Sequence, residues 1–397
     1  MTVRVNKSLF NIREKLSELA VKFGLKGSEL MRAETAQEAR DLVSAGRRNL
    51  VMNGAMQIAQ RGTTFSNSQS FTVDRWHFGG GGTTGEITVT QQSSNSAPGH
   101  ANYVQGNVDV ADASISGTEY VMCSINIEGY QMRPLCWGTA YAKPATISFW
   151  HKHSIAGKYS IILRSTDANY NYLIDYTQNT ADVWQKSTFV IKPPTSGSWD
   201  KSTGLGLRLG FTMTNGTTYQ SSTIENWFSG QYYHSTPNQV QMMQTLNAKF
   251  RLTGIQLEVG ENATDFDYID YHDELRSCMR FYQRYNFVDS SYQRISPAPI
   301  GGTSTATSAF GFLYLKERLR SVPSISNISF SAANTFRMNG GGQGDQVATG
   351  VSASTNGQGD DVISFDITFG TARTSGLCGW ISRENISTTY IEVDAEF

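Results

Sequence analysis

A change of hydrophobic period near Arg48 constrains this chain more than any other feature. Before it, Leu9, Ile12, Leu16, Leu19 and Phe23 fall at spacings of three, four, three and four, the seam of a coiled coil. Two heptads do not stand alone, because an isolated helix shorter than about 12–15 residues is marginal in water. The segment therefore needs a surface: its own copies, another protein, or the β-domain that follows. Gly24 and Gly27 interrupt the pattern, Thr35 with Glu38 starts a second helix through a capping box, and Gly46 stops it.

From residue 49 onward, short β-branched and aromatic runs alternate with Gly, Ser, Asn and Thr, which suits a sandwich. Residues 49–78 read as its opening strands. The best further strand candidates are 87–90, 120–127, 145–150, 159–163, 188–191, 205–211 and 250–257, each presenting alternate residues to a core. Residues 79–82 and 193–204 read as loops, the latter held open by Pro193 and Pro194. A connecting helix is expected over 272–285, with Leu275, Cys278, Met279 and Tyr282 on one face. Alternating strands then resume at 310–315, 324–330, 361–369 and 390–397. The expected architecture is mainly β: a helical segment over 1–48, a jelly-roll β-sandwich over 49–271, the connector, and a second smaller β-sandwich over 286–397.

Composition removes several function classes. The formal net charge is −1 and charged residues make up 17%, so the chain lacks the basic field that nucleic-acid binding needs. No apolar run approaches the roughly 18 residues of a membrane span, and the first residues lack the apolar core of a secretion signal. The expectation is synthesis in the cytoplasm with no membrane insertion. Cys123, Cys136, Cys278 and Cys378 are scattered without metal-ligand spacing and read as small buried hydrophobes. His151 and His153, at i and i+2, share one face of a strand; with no third ligand they read as two partly solvated histidines rather than a metal site. Nucleophile, zinc-protease and phosphate-loop motifs are absent. The neighbouring carboxylates Asp265 with Asp267 and Asp360 with Asp361 do not by themselves make a glycosidase pair, which must face across a cleft.

Several landmarks carry a family resemblance. Asn49-Leu-Val-Met-Asn-Gly54, Gln60-Arg-Gly-Thr-x-Phe65 and Asp74-Arg-Trp76 come first; Ala145-Thr-Ile-Ser-Phe-Trp150 and Gly254-Ile-Gln-Leu-Glu-Val-Gly260 follow. Ala263-Thr-Asp-Phe266 and Glu274-Leu-x-x-Cys-x-Arg-Phe-Tyr-Gln283 complete the set. In this order, over residues 49–285, they resemble a jelly-roll module of bacteriophage tail and virion proteins, itself similar to carbohydrate-binding modules. Residues 29–46 resemble the short Ala-rich helix and Gly turn that precede β-domains in trimeric phage tail fibres, though without their usual Leu-Gly ending.

The resemblance implies a non-enzymatic virion protein: a homotrimeric tail fibre or receptor-binding protein, on the tail rather than the capsid. Residues 1–48, with Leu9, Ile12, Leu16, Leu19 and Phe23 as the seam, would hold it to its copies or to other virion proteins. Host-surface glycan would be the outside partner. No cofactor is expected; related sandwiches often hold a structural calcium ion, whose ligands this sequence does not place. Seven Trp and 18 Tyr suit sugar stacking, and Trp199, Trp227, Tyr232 and Tyr233 lie in polar, loop-like segments where an exposed aromatic serves a partner. Trp76, Trp150 and Trp184 are expected in the core. Packing between subunits is the other use of those exposed aromatics. The alternatives are a purely structural capsid decoration or tail adaptor and, third, a polysaccharide depolymerase.

Overall fold

The structure is a computed structural model and describes residues 47–66, 70–166, 170–287, 293–299, 307–340, 344–372, 378–384 and 389–397. The heptad residues Leu9 to Phe23 and the second expected helix lie outside it. Residues 50–397 form one compact unit, mainly β, around two hydrophobic cores. Among the described residues no helix is long and apolar enough to cross a membrane.

Two antiparallel sheets enclose the first core. One has the spatial order β1 (Thr64–Ser66), β4 (Glu86–Gln92), β5 (Tyr103–Val110), β13 (Lys249–Val259), β7 (Ala145–His151), β10 (Gln185–Ile191). The other has the order β12 (Trp227–Ser229), β9 (Tyr170–Gln178), β8 (Gly157–Ser165), β11 (Leu205–Asn215), β6 (Tyr120–Glu128), β3 (Trp76–Gly81), β2 (Ser70–Phe71). The expected strands from residue 87 to 257 are present; of the expected opening strands, residues 49–63 are instead turns and irregular backbone, and the sheet begins at Thr64. The alternation works as read: Val121, Cys123, Ile125 and Ile127 of β6 and Leu207, Leu209, Phe211 and Met213 of β11 point inward. Phe211 meets Phe149 of the opposite layer with ring centres 5.0 Å apart. Burying each such side chain stabilises by about 1.5–3 kcal/mol.

Three strands of this sandwich went unread, β5, β9 and β12. The glycine run corrects an expected loop, since Gly79 to Gly81 continue β3 along β6. A Cβ at Gly80 would fall on the Tyr120 carbonyl, so glycine here permits close backbone approach rather than a turn. Gly80→Ala is expected to cost about 1–3 kcal/mol through strand separation, read as a lowered denaturation midpoint with unchanged slope.

The landmark residues are structural. Asn53 sits at φ 52°, a left-handed conformation that asparagine tolerates. Its side chain donates to the Ile58 and Asp74 carbonyls, each at 2.9 Å, and accepts from the Ile58 N–H at 3.0 Å. Its own carbonyl takes the Trp76 indole N–H at 3.1 Å. Glu258 accepts from the Thr264 N–H and hydroxyl at 2.9 and 2.7 Å, pinning the loop after β13. The expected 272–285 helix is corrected to Tyr271–Met279, capped by Asp270, which accepts from the His272 N–H at 2.8 Å. Tyr282 instead begins a strand, because alternate residues from there pack and pair along the last strand of the chain.

The second core lies between a three-stranded sheet and a six-stranded one. The first has the order β14 (Tyr282–Phe287), β22 (Thr389–Asp394), β17 (Ile328–Phe330). The second has the order β15 (Arg294–Pro299), β21 (Cys378–Arg383), β18 (Phe336–Gly340), β19 (Gln346–Ala353), β20 (Val362–Phe369), β16 (Ser308–Tyr314). Of the expected 324–330 strand, only Ile328–Phe330 is extended; Ile325–Asn327 is a 3₁₀ turn. Charged groups stitch this part to the first sandwich. Arg75, 1% exposed, pairs with Glu396, and Arg280 holds Glu128 through two hydrogen bonds of 3.0 and 2.7 Å.

Candidate functional site

The outward face of the seven-stranded sheet carries a continuous groove. Its larger part, about 400 Å³, lies among Arg164, Ser165, Leu205, Tyr219, Tyr232 and His234. Its smaller part, about 220 Å³, lies among Phe71, His77, Gly79, Gly80, Ser124, Asn126 and Phe397. Both parts share Tyr120, Met122 and Arg208. The groove crosses β2, β3, β6, β11 and β8, a span of about 19 Å at the usual strand spacing. That length accommodates a short chain-like ligand running across the strands.

Strand alternation puts these side chains there. On β6 the inward set leaves Tyr120, Met122, Ser124 and Asn126 facing out. Register then aligns Asn126, Arg208 and Arg164 as direct cross-strand neighbours on β6, β11 and β8. Arg208 Nε donates to Asn126 Oδ1 at 2.9 Å. The wall is aromatic. His234 stacks on Tyr120 at 4.4 Å with planes 15° apart, Tyr219 meets both edge-on, and the Arg164 guanidinium lies 4.9 Å from the Tyr232 ring centre. The Tyr219 to His234 wall is set by backbone bonds, His234 N–H donating to the Tyr219 carbonyl at 2.8 Å.

The electrostatics of the groove are positive. Burial holds the His234 imidazole down to about 3, with the charges of Arg164 and Arg208 adding to the effect. His77 is lowered by burial and then by Arg208. The described lining includes no Asp or Glu. Flat aromatic faces beside amide, hydroxyl and guanidinium donors fit a ligand with both C–H faces and polar edges.

Of the four aromatic candidates, the structure brings only Tyr232 to the groove. Trp227 is corrected to a core residue: it is 9% exposed, donates to the Lys192 carbonyl at 2.7 Å, and packs against Trp137, Trp199 and Tyr170. Trp199 is half-buried in that cluster, and Tyr233 packs on Phe228 at 5.3 Å. Their polar sequence surroundings hid this, because Trp227 lies on a strand of three residues. Trp76 is fully buried, while Trp150 and Trp184 are half-buried. His151 and His153, expected to be partly solvated, are fully buried. They bond to Gln178, Ser187 and Tyr176, and His153 stacks on Phe250 at 4.2 Å. Cys123 and Cys278 are buried as expected, but Cys136 is half-buried and Cys378 exposed. Asp360 and Asp361 both pair with Arg318. Sequence reading missed Tyr120, Arg164, Arg208, Tyr219 and His234. A charged residue at an outward position in mid-strand, as in Leu207-Arg-Leu and Leu163-Arg-Ser, was the available signal.

No protein-family model and no curated protein matches the chain. Solved structures do. A carbohydrate-binding module described as CBM4 is matched over 52% of this chain and 98% of its own, at 14% identity and TM-score 0.28. TmCBM61, solved in complex with β-1,4-galactotriose, is matched over 54% and 100%, at 11% identity and TM-score 0.29. The enzymatically active domain of bacteriophage CBA120 tailspike protein 4 is matched over 53% of this chain at 12% identity and TM-score 0.30, and the match spans only 21% of that tailspike.

Proposed function

We propose that the first sandwich binds a saccharide in the groove on its seven-stranded sheet and does not cleave it. The observation that carries this reading is the groove itself, walled by Tyr120, Tyr232 and His234 over Asn126, Ser124 and two arginines. Hydrolysis of a glycosidic bond uses two carboxyl groups several ångströms apart; the described lining supplies none. The sequence resemblance sets this site in a bacteriophage virion protein, a homotrimeric tail fibre or receptor-binding protein held by residues 1–48. Three copies then act together, so that modest site affinities multiply through effective concentration.

A glycan array tests the site. Wild type is expected to retain a defined set of glycans, and Tyr232→Ala or Tyr120→Ala to weaken binding at least tenfold, about 1.4 kcal/mol per decade. No retained glycan would favour the structural decoration or adaptor, and release of reducing ends from a bound polysaccharide would favour the depolymerase. For the assembly, Leu16→Asp places a charge in the seam and is expected to convert trimer to monomer by light scattering. An unchanged trimer would remove residues 1–48 from that role.

A further inference from the structure

Two buried arginines outside the groove, Arg75 and Arg251, each meet a carboxylate, as does Arg61, whose side chain is 10% exposed. Arg164 and Arg208 differ: among the described residues no carboxylate lies within ion-pair distance of either. Arg164 is only 5% exposed, and among the described residues its guanidinium has the Tyr232 ring as neighbour but no hydrogen-bond acceptor. The two arginines are also direct cross-strand partners on β11 and β8. Like charges placed directly opposite destabilise a sheet, and among the described residues no counter-charge offsets that cost.

We infer that the groove takes an acidic saccharide, whose carboxylate or sulfate group seats on the Arg164–Arg208 pair. A planar guanidinium offers parallel N–H donors that match such an anion in bidentate fashion. His234, another residue of the groove wall, has a buried Nδ1 that meets no hydrogen-bond partner among the described residues. The direction of the arginine pKa shifts agrees. Burial pushes Arg164 down to about 10 and the charge of Arg208 adds to this, so an anion would relieve the strain. Nucleic acid is the other polyanion with flat rings, but phosphate-backbone binding needs a stripe of many cations. This groove has two, on a chain of net charge −1.

The inference rests on the saccharide reading, and the test separates them. Uronic-acid and sulfated oligosaccharides are each assayed by calorimetry beside their carboxyl-reduced or desulfated counterparts, with oligothymidylate included. The expected result is binding of an acidic member, weakened at least tenfold when its acid group is removed and at least tenfold by Arg164→Gln or Arg208→Gln. Whether the reduced or the desulfated partner loses affinity identifies the anion. Equal affinity for acidic and neutral partners would overturn the acidic ligand and leave the saccharide reading standing. Binding of no saccharide would overturn both, as would arginine-dependent binding of oligothymidylate alone. The wild-type comparison of acidic and neutral partners decides the matter even if a variant does not fold.

Discussion

Lowering the pH from about 7 to about 5 is expected to remove about 7–8 kcal/mol of folding stability, from four histidines that the folded protein keeps neutral. Burial pushes His100 and His151 down to about 4 and His234 down to about 3, and holds His153 well below the usual range. The hydrogen bonds suit the neutral rings. Gln178 Oε1 can only accept, so His151 Nδ1 carries the proton and Nε2 accepts from the Ser187 hydroxyl. His153 Nδ1 accepts the Arg251 N–H at 3.4 Å, which leaves Nε2 to donate to Tyr176.

In the unfolded chain each imidazole titrates near about 6.5. Above that value neither state binds the proton and stability is unaffected. As pH falls below it, the unfolded chain takes up protons that the folded protein refuses until its own depressed values are reached. Each histidine then costs about 1.4 kcal/mol per pH unit, or about 2 kcal/mol by pH 5. A loss of that size is comparable to the whole stability of many domains. Urea denaturation across this pH range measures it. His153→Gln should flatten the slope by about a quarter, whereas a flat wild-type profile would show that these histidines protonate without unfolding.

The second large effect concerns Arg75. Arg75→Ala is expected to cost about 3–5 kcal/mol, because it leaves a buried carboxylate without its partner. The guanidinium pairs with Glu396, itself 3% exposed, donates to the Asn126 carbonyl, and lies 3.4 Å from the ring centre of Phe281. Arg61, 3.7 Å from Glu396, offers only partial compensation. Adding Glu396→Gln to Arg75→Ala should recover part of the loss, since the stranded charge goes with it. A double variant as unstable as the sum of the singles would show that packing on Phe281, not charge, is what Arg75 supplies.

The sandwich was legible because period-two alternation is a local property. The runs around Ile125 and Leu209 announced both their strands and their buried faces. The landmark residues were legible as a set, though their work is internal: Asn53 and Asp74 satisfy backbone groups rather than a ligand. What local reading missed depends on register. Arg164 and Arg208 are 44 positions apart in sequence (208 − 164) and become neighbours only through the pairing of β8 with β11. Glycine misled for a related reason. Gly80 looks like a turn residue until the Tyr120 carbonyl is seen beside it. Trp227 looked exposed among polar neighbours, and only the arrival of Trp137 and Trp199 from distant segments buries it.

The Arg75–Glu396 pair joins residues 321 positions apart, and β14 pairs with β22 near the other end of the described residues. At about 5–20 residues per second, synthesis separates the two charges by roughly 15–65 s. For that interval the nascent first sandwich holds a guanidinium whose counter-ion does not yet exist, and β14 waits as an unpaired edge. Residues 389–397 therefore act in time as well as in space: until they arrive, Arg75 and β14 stay without the partners that they meet in the folded protein.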